Sequence, residues 1–498
     1  MKNGSWNLGG RPGLCLLLLV SSVLGTALFS PSTSPLFTGY GYDSAMFQTI
    51  GKYWTQGYLP YADLFDHKGP VIFFINAMGY LLGERVGVFI LQACSCFISE
   101  LLAYSILRRR MGKNASMALA FLLPLLLVMN WQEGNTTEEY ILPLLFACYY
   151  LMLRWLENME SGRKEHRPSW AFVYGLCFGF ALMSRVTNAL GVCVGVAFIS
   201  VYLAATGKWE NLLKNSLFFI LGVLSLVLPF CIYFWYHGDL YEMWYGTLLF
   251  IFKYFSSSGM ERPEGLVALL SAVRTYCTGW CLVAAAVWSL AVAKGKRFGA
   301  CFWLAISLVN TLFIYTLNNY AHYGIVLLPF FYLALILMDM TDYGKYTGAA
   351  ASFFAFAMLA LLLASSGLKA YKNLTVYVPP QAYEDIVDYE DDYSELVSMV
   401  PEEDRDSFVA FNCYRSLYLE NDIRPAFRFF VLQQWMISNS PELGKKMTME
   451  FKEADIKWVL SFEPDGANGY VREMLGDDYA CVADTEHQAY RLYCRRTD

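Results

Sequence analysis

Apolar runs recur along most of the chain, many close to the length that crosses a hydrocarbon core of about 30 Å. The pattern predicts spans at 13–30, 85–107, 115–129, 140–156, 170–183, 189–205, 215–235, 275–293, 299–317, 323–338 and 347–365. Segment 70–83 is also apolar but too short to span, which suits an interfacial or re-entrant piece. The first run, Leu14 to Phe29, follows Lys2 and Arg11. No small-x-small cleavage site comes after it, so an uncleaved first span is expected rather than a signal peptide. Between Ser44 and Gln56 the residues Met46, Phe47, Ile50 and Trp54 hold the i, i+3, i+4 spacing of a short amphipathic helix. Ser44 is its expected N-cap and Gly57 its end. Asp43 then sits at the helix N-terminus.

After residue 366 the long apolar runs stop, and acidic residues cluster at 384–395 and 402–406. Residues 407–411 and 457–461 read as short buried strands, 481–483 and 490–493 as a terminal hairpin, and 441–453 as a helix. The expected architecture is a polytopic α-helical membrane protein of about eleven spans. It divides into a membrane domain, 1–365, whose first outer loop is 31–69, and a small C-terminal α/β domain, 366–498.

Charge sets the orientation. Basic residues collect on the cytoplasmic side of membrane proteins. Here they gather at Arg108–Lys113, at Arg163, Lys164 and Arg167, at Lys208 and Lys214, and at Lys294, Lys296 and Arg297. With 70–83 excluded as a span, all four loops share the face of Lys2 and Arg11. The expected topology has the N-terminus inside and the C-terminal domain outside. Composition agrees with a membrane protein: 56% apolar and 16% charged residues, against about 45–50% and 25% in globular proteins. A net charge of −6 gives no support for nucleic-acid binding. Most of the 13 cysteines lie in apolar segments as small hydrophobes. Cys481 and Cys494 flank the expected hairpin, where either a disulfide or two separate thiols fits.

The opposite face collects the chemistry. It holds Asp43, the polar run Pro60 to Pro70 with Asp63, Asp66, His67 and Lys68, and the loop Trp131 to Glu139 with Glu138 and Glu139. It also holds Arg185 and His322. Charge beside a bilayer is costly unless it faces water, a partner or a substrate. Each residue has a structural reading too. Asp43, Glu138 and Glu139 are acids at helix starts, favourable to the dipole. Lys68 reads as a lysine reaching for headgroups. Arg185 interrupts apolar sequence as either a phosphate contact or an ion-pair partner. His322 is the weakest candidate, with an interfacial histidine bonded to backbone as its bland reading.

Tyr42-Asp43 after the first span, Gly57 to Asp63, Asp66-His67-Lys68-Gly69-Pro70, Gly134 to Tyr140 and Ser184 to Asn188 follow one another on one face. In order and spacing they resemble the GT-C glycosyltransferases, in particular bacterial membrane enzymes similar to protein O-mannosyltransferases and aminoarabinose transferases. The resemblance covers about residues 10–365. It implies an inverting transferase that takes a sugar from a polyprenyl-phosphate donor to a cell-envelope glycan, lipid or protein on the outer face of a bacterial membrane. By this resemblance Asp43 is the general base or orients the attacking hydroxyl, and Lys68 holds the lipid phosphate with His67 assisting. Glu138, or Glu139 behind it, joins the site. No obligatory cofactor is expected; a divalent metal is the one candidate, with Asp63 and Asp66 as its weak ligand pair. Gly69-Pro70 stands where the family often has two prolines. A transporter or lipid-linked-sugar flippase is the rival from another class, and a glycan ligase or polymerase using lipid diphosphates is a third. Transporters place ionisable groups mid-membrane within inverted repeats, whereas here the charges lie in loops and no repeat is visible.

Overall fold

The structure is a computed structural model, described here for residues 12–250, 265–292, 297–316, 320–339, 362–375, 393–413, 415–431, 440–462, 469–485 and 489–496, with residues 360 and 437. In chain order its helices begin with α1 (Pro12–Phe29), α2 (Tyr42–Thr55), α3 (Pro70–Leu107), α4 (Lys113–Ala120), α5 (Leu123–Asn130) and α6 (Thr137–Glu160). They continue with α7 (Pro168–Leu182), α8 (Leu190–Ala205), α9 (Trp209–Tyr236), α10 (Leu240–Trp244), α11 (Gly265–Val292), α12 (Arg297–Thr316) and α13 (Leu328–Asp339). Among the described residues, eight helical stretches are long and apolar enough to cross a membrane, and 168–182 and 276–292 are shorter apolar helices. Most of the span expected at 347–365 lies outside the described residues.

Two departures from the expected pattern have local causes. Helix α3 breaks at Gly83 (φ 150°) and Glu84 (φ 54°). A Cβ on Gly79 would collide with Val88, and one on Gly87 with the Gly79 carbonyl, so the chain folds back across the break. Segment 70–83 is therefore not the first half of a straight rod with 85–107. The stretch expected as one helix at 115–129 is instead two short helices, α4 and α5, interrupted at Phe121–Leu122. Pro124 occupies the first turn of α5, where its missing N–H costs nothing.

The chain forms two compact units. The first comprises Met1–Ser30, Phe89–Pro229 and Met260–Lys372; the second comprises Pro31–Val88, Phe230–Gly259 and Asn373–Asp498. In the first, α6 is the most buried span and packs its aromatic residues inward. Tyr149 lies 5.3 Å from Phe330, and Phe146 lies 5.6 Å from Tyr332, ring centre to ring centre. These contacts seat the body of α6, whose first turn carries Glu138 and Glu139.

In the second unit α2 is clamped from both sides. Its Gly51 lies against the backbone of Asn76 and Ala77 with no room for a Cβ. Trp54 Nε1 donates to the Tyr233 hydroxyl at 2.7 Å. The tail adds a four-stranded sheet in the order β1 (Phe408–Phe411), β2 (Trp458–Phe462), then β4 (Tyr490–Arg495) and β3 (Tyr479–Asp484). β1 and β2 are parallel and the other pairs antiparallel. The helix Pro441–Glu453 covers the sheet with Leu443, Met447 and Phe451, four residues apart and all buried. Cys494 pairs across the ladder with Ala480, and Cys481 with Tyr493. Adjacent register positions point to opposite faces, so the disulfide reading is corrected: the two thiols do not bridge.

Candidate functional site

Helix α2 begins two residues earlier than its pattern suggested. Gly41, with φ 69°, is the N-cap and offers no side-chain bond. Ser44 is thus not the cap; it is buried in the first turn, and its hydroxyl accepts from Gln48 Nε2 at 3.0 Å. The expected end holds, since Gly57 takes the left-handed φ of 99° just past Gln56. Asp43 lies in the first turn, where the helix dipole favours a carboxylate. Its side chain is 47% exposed, and its Oδ1 accepts from Arg415 Nη1 at 3.2 Å. Arg415 is itself buried, with its guanidinium 4.0 Å from the centre of the Tyr42 ring. Sequence reasoning missed Arg415. The signal was present, because this arginine stands between the buried runs Phe408–Phe411 and Leu417–Leu419, as Arg185 does between its own.

The loop before α3 is wound around a buried tyrosine. Tyr61 takes a left-handed φ of 72°. Its N–H donates to the Leu64 carbonyl at 2.8 Å, and its hydroxyl donates to the Lys68 carbonyl at 2.7 Å. Asp63 Oδ2 accepts from the Leu59 N–H at 2.7 Å, so Asp63 shapes the loop. The next three polar residues form a relay. Asp66 Oδ1 lies 3.0 Å from His67 Nδ1, and His67 Nε2 lies 3.1 Å from Lys68 Nζ. Asp66 Oδ2 also accepts from the Lys68 N–H at 3.2 Å.

Electrostatics fixes the protonation states. Burial alone would raise Asp66, but His67, Lys68 and Arg415 together hold its carboxyl well below the usual range. Burial and then the Lys68 ammonium push His67 below its ordinary value, against the pull of Asp66 and Asp43. His67 is thus neutral at pH 7. With a carboxylate on one side and an ammonium on the other, it donates from Nδ1–H and accepts at Nε2. Asp43, Arg415 and the relay all lie within electrostatic reach of one another in this way.

The first unit holds a separate group at the start of α6. Glu139 occupies the N3 position of a capping box, and its Oε1 accepts from the Thr136 N–H at 3.1 Å and the Thr136 hydroxyl at 3.0 Å. Its other oxygen accepts from Gln92 Nε2. Glu138 points elsewhere. Its Oε1 accepts from Arg185 Nη1 at 2.9 Å and its Oε2 from the Thr137 hydroxyl at 2.9 Å. Arg185 lies over the Tyr323 ring, 3.4 Å from its centre. His322 is close enough to act on Glu138 by charge, and its Nδ1 sits 2.6 Å from Gln132 Oε1. Two structural readings weighed for these side chains, the acid at a helix start for Glu139 and the ion pair for Arg185, therefore describe their bonds.

No three His, Cys, Asp or Glu side chains converge as a metal site among the described residues. Of the pair suggested by sequence, Asp63 serves its own loop and Asp66 serves His67 and Lys68.

Residues 67–235 match the family model described as dolichyl-phosphate-mannose-protein mannosyltransferase. That stretch contains His67, Lys68, Glu138, Glu139 and Arg185. No curated protein matches the chain. The fold is similar to that of the Archaeoglobus fulgidus oligosaccharyltransferase solved in complex with Zn and sulfate, with TM-score 0.50 and 12% identity over 97% of this chain and 73% of that one. ArnT from Cupriavidus metallidurans in the apo state aligns with TM-score 0.49 and 12% identity over 98% of both chains. The archaeal oligosaccharyltransferase AglB from Archaeoglobus fulgidus, in complex with an inhibitory peptide and a dolichol-phosphate, aligns with TM-score 0.48 and 12% identity, covering 98% of this chain and 75% of that one.

Proposed function

We propose that this chain, a multi-span membrane glycosyltransferase of the GT-C superfamily, moves one sugar from a polyprenyl-phosphate carrier to an acceptor of the cell envelope. The acceptor hydroxyl oxygen attacks the anomeric carbon and gives its proton to Asp43. The bond from that carbon to the phosphate oxygen breaks, and the configuration inverts. A carboxylate on the face opposite the leaving group suits such a displacement. The leaving lipid phosphate needs no strong acid; it needs a cation, which Lys68 supplies. Glu138 is assigned as a further catalytic carboxylate, with Arg185 and His322 beside it.

The observation that carries this reading is the state of Asp43. It is a half-exposed carboxylate anchored through one oxygen and within electrostatic reach of the Asp66–His67–Lys68 relay. The four basic loops favour an outer-face site, with the N-terminus inside and residues 366–498 outside, shaping access for the acceptor.

The test uses the full chain in proteoliposomes with a panel of synthetic polyprenyl-phosphate monosaccharides and a cell-envelope fraction. Mass analysis is expected to find one added sugar for the wild type and none for Asp43→Asn. Lys68→Met should raise the donor KM. Undiminished transfer by Asp43→Asn would overturn the reading.

A further inference from the structure

Arg415 reaches Asp43 across 372 residues of sequence. Its side chain is 9% exposed, whereas that of Asp43 is 47% exposed. The arginine is fixed by three partners. Its guanidinium lies 4.0 Å from the centre of the Tyr42 ring, and its Nη1 lies 3.2 Å from Asp43 Oδ1 and 3.6 Å from Met46 Sδ. Tyr42, Asp43 and Met46 stand on the first turns of one helix, which Gly51 and Trp54 lock in place. A buried, stacked guanidinium against a rigid helix start is a fixed donor.

The consequence for Asp43 is directional. One carboxylate oxygen is held by the buried arginine, while the side chain as a whole stays 47% exposed. A general base needs this arrangement: its orientation is set before the acceptor arrives, and misplacement by about 1 Å can cost about 100-fold in rate. Arg415 also acts by charge on Asp66, the far end of the relay that holds Lys68. Arginine suits the task, since its planar guanidinium stacks on the Tyr42 ring while Nη1 holds one carboxylate oxygen, where a lysine would act only as a point charge.

We propose that Arg415 is a positioning residue for glycosyl transfer: the C-terminal segment supplies the cation that aims the Asp43 carboxylate at the acceptor hydroxyl. This rests on the reading of Asp43 as the base. The tail is then part of the catalytic apparatus.

The test compares Arg415→Ala, Arg415→Gln, Asp43→Asn and Lys52→Ala, each as the full chain in proteoliposomes, on whichever polyprenyl-phosphate monosaccharide of the panel the wild type turns over. Lys52 pairs with Asp422 of the tail and touches neither Asp43 nor the relay, so it reports on tail docking alone. Arg415→Ala should lose about 100-fold in kcat and leave the donor KM within about twofold. Guanidinium ion at low millimolar concentration should restore part of that loss, and restore nothing in Asp43→Asn. Lys52→Ala should keep wild-type kcat. If Arg415→Ala does not fold, Arg415→Gln decides by the same split of kcat against KM. An inactive Asp43→Asn beside an Arg415 variant with wild-type kcat would overturn this inference and leave the reading of Asp43 standing. Equal loss in Lys52→Ala, or loss without rescue, would make Arg415 a docking residue only. An active Asp43→Asn, or a wild type inert on the whole panel, would remove the reading itself and the inference with it.

Discussion

Arg185 Nη1 stands 2.9 Å from Glu138 Oε1, and the same guanidinium rests 3.4 Å from the centre of the Tyr323 ring. Both ionic partners are nearly or largely buried. A buried pair of this kind binds its members' fates together, because removing one leaves the other charged and uncompensated. Such losses cost about 3–5 kcal/mol, whereas neutralising both is often nearly neutral. Glu138→Gln and Arg185→Gln should therefore each lower the thermal midpoint of the detergent-solubilised protein sharply, and the double variant should recover most of the loss. Activity separates structure from chemistry. With Glu138 in the reaction, the double variant regains stability but not turnover; a double variant that regains both would make the pair structural.

Glu139 is predicted to behave differently, although it is the next residue. It closes the capping box with Thr136 and receives Gln92 on its second oxygen. Glu139→Ala leaves the buried Gln92 amide without this acceptor and the first turn of α6 without its reciprocal bond. Each loss is worth about 1–3 kcal/mol. Glu139→Gln keeps an acceptor for Thr136 but turns an amide NH2 toward the Gln92 amide, so it should recover only the capping share of the stability. The expected signature is a thermal midpoint that falls in the alanine variant and partly returns in the glutamine one, with transfer following the amount of folded protein.

Much of this was legible in the chain because it is local. The helix at 441–453 has the ends its pattern gave, since its apolar residues recur every fourth position and Pro441 marks its start. The start of α2 was misplaced because Ser44 is a better cap by composition, while Gly41 alone has the backbone freedom for φ 69°. Asp66, His67 and Lys68 were visible as neighbours. Their order as a relay was not, because it depends on a loop wound around Tyr61 at a φ that side chains rarely adopt. Arg415 was legible as an arginine between buried runs, but its partner was not: no periodicity connects positions 43 and 415. Partners that distant are chosen by tertiary packing, and local pattern carries no trace of the choice.

On the proposed reading of Lys68 as the phosphate-binding cation, the relay makes donor binding depend on pH. His67 holds the Lys68 ammonium only while Nε2 is unprotonated. Its folded value is lowered by burial and by Lys68, so the neutral form persists below the usual 6.5, and the hold is lost as pH falls further. The donor KM should rise on acidification below the ordinary histidine range, with little change between pH 7 and 8. His67→Gln cannot titrate, and its donor KM should stay flat over the same range. Parallel profiles for wild type and variant would remove His67 from the site.

Asp239 sets a second pH dependence, in stability. It is buried at the start of α10, and its Oδ2 has no hydrogen-bond partner among the described residues. Burial and the nearby Glu242 carboxylate push it up to about 7, against Arg428 and the Ala62 N–H. The folded protein therefore holds a proton that the unfolded chain releases near pH 4. The stability this contributes is complete below about pH 4 and is lost progressively as pH rises toward 7. Asp239→Asn cannot ionise, so it should match the wild type near pH 4 and be the more stable protein at pH 8. Thermal midpoints at half-unit pH steps check this. Curves that stay parallel from pH 4 to 8 would mean that Asp239 ionises in the folded protein as freely as in the unfolded chain.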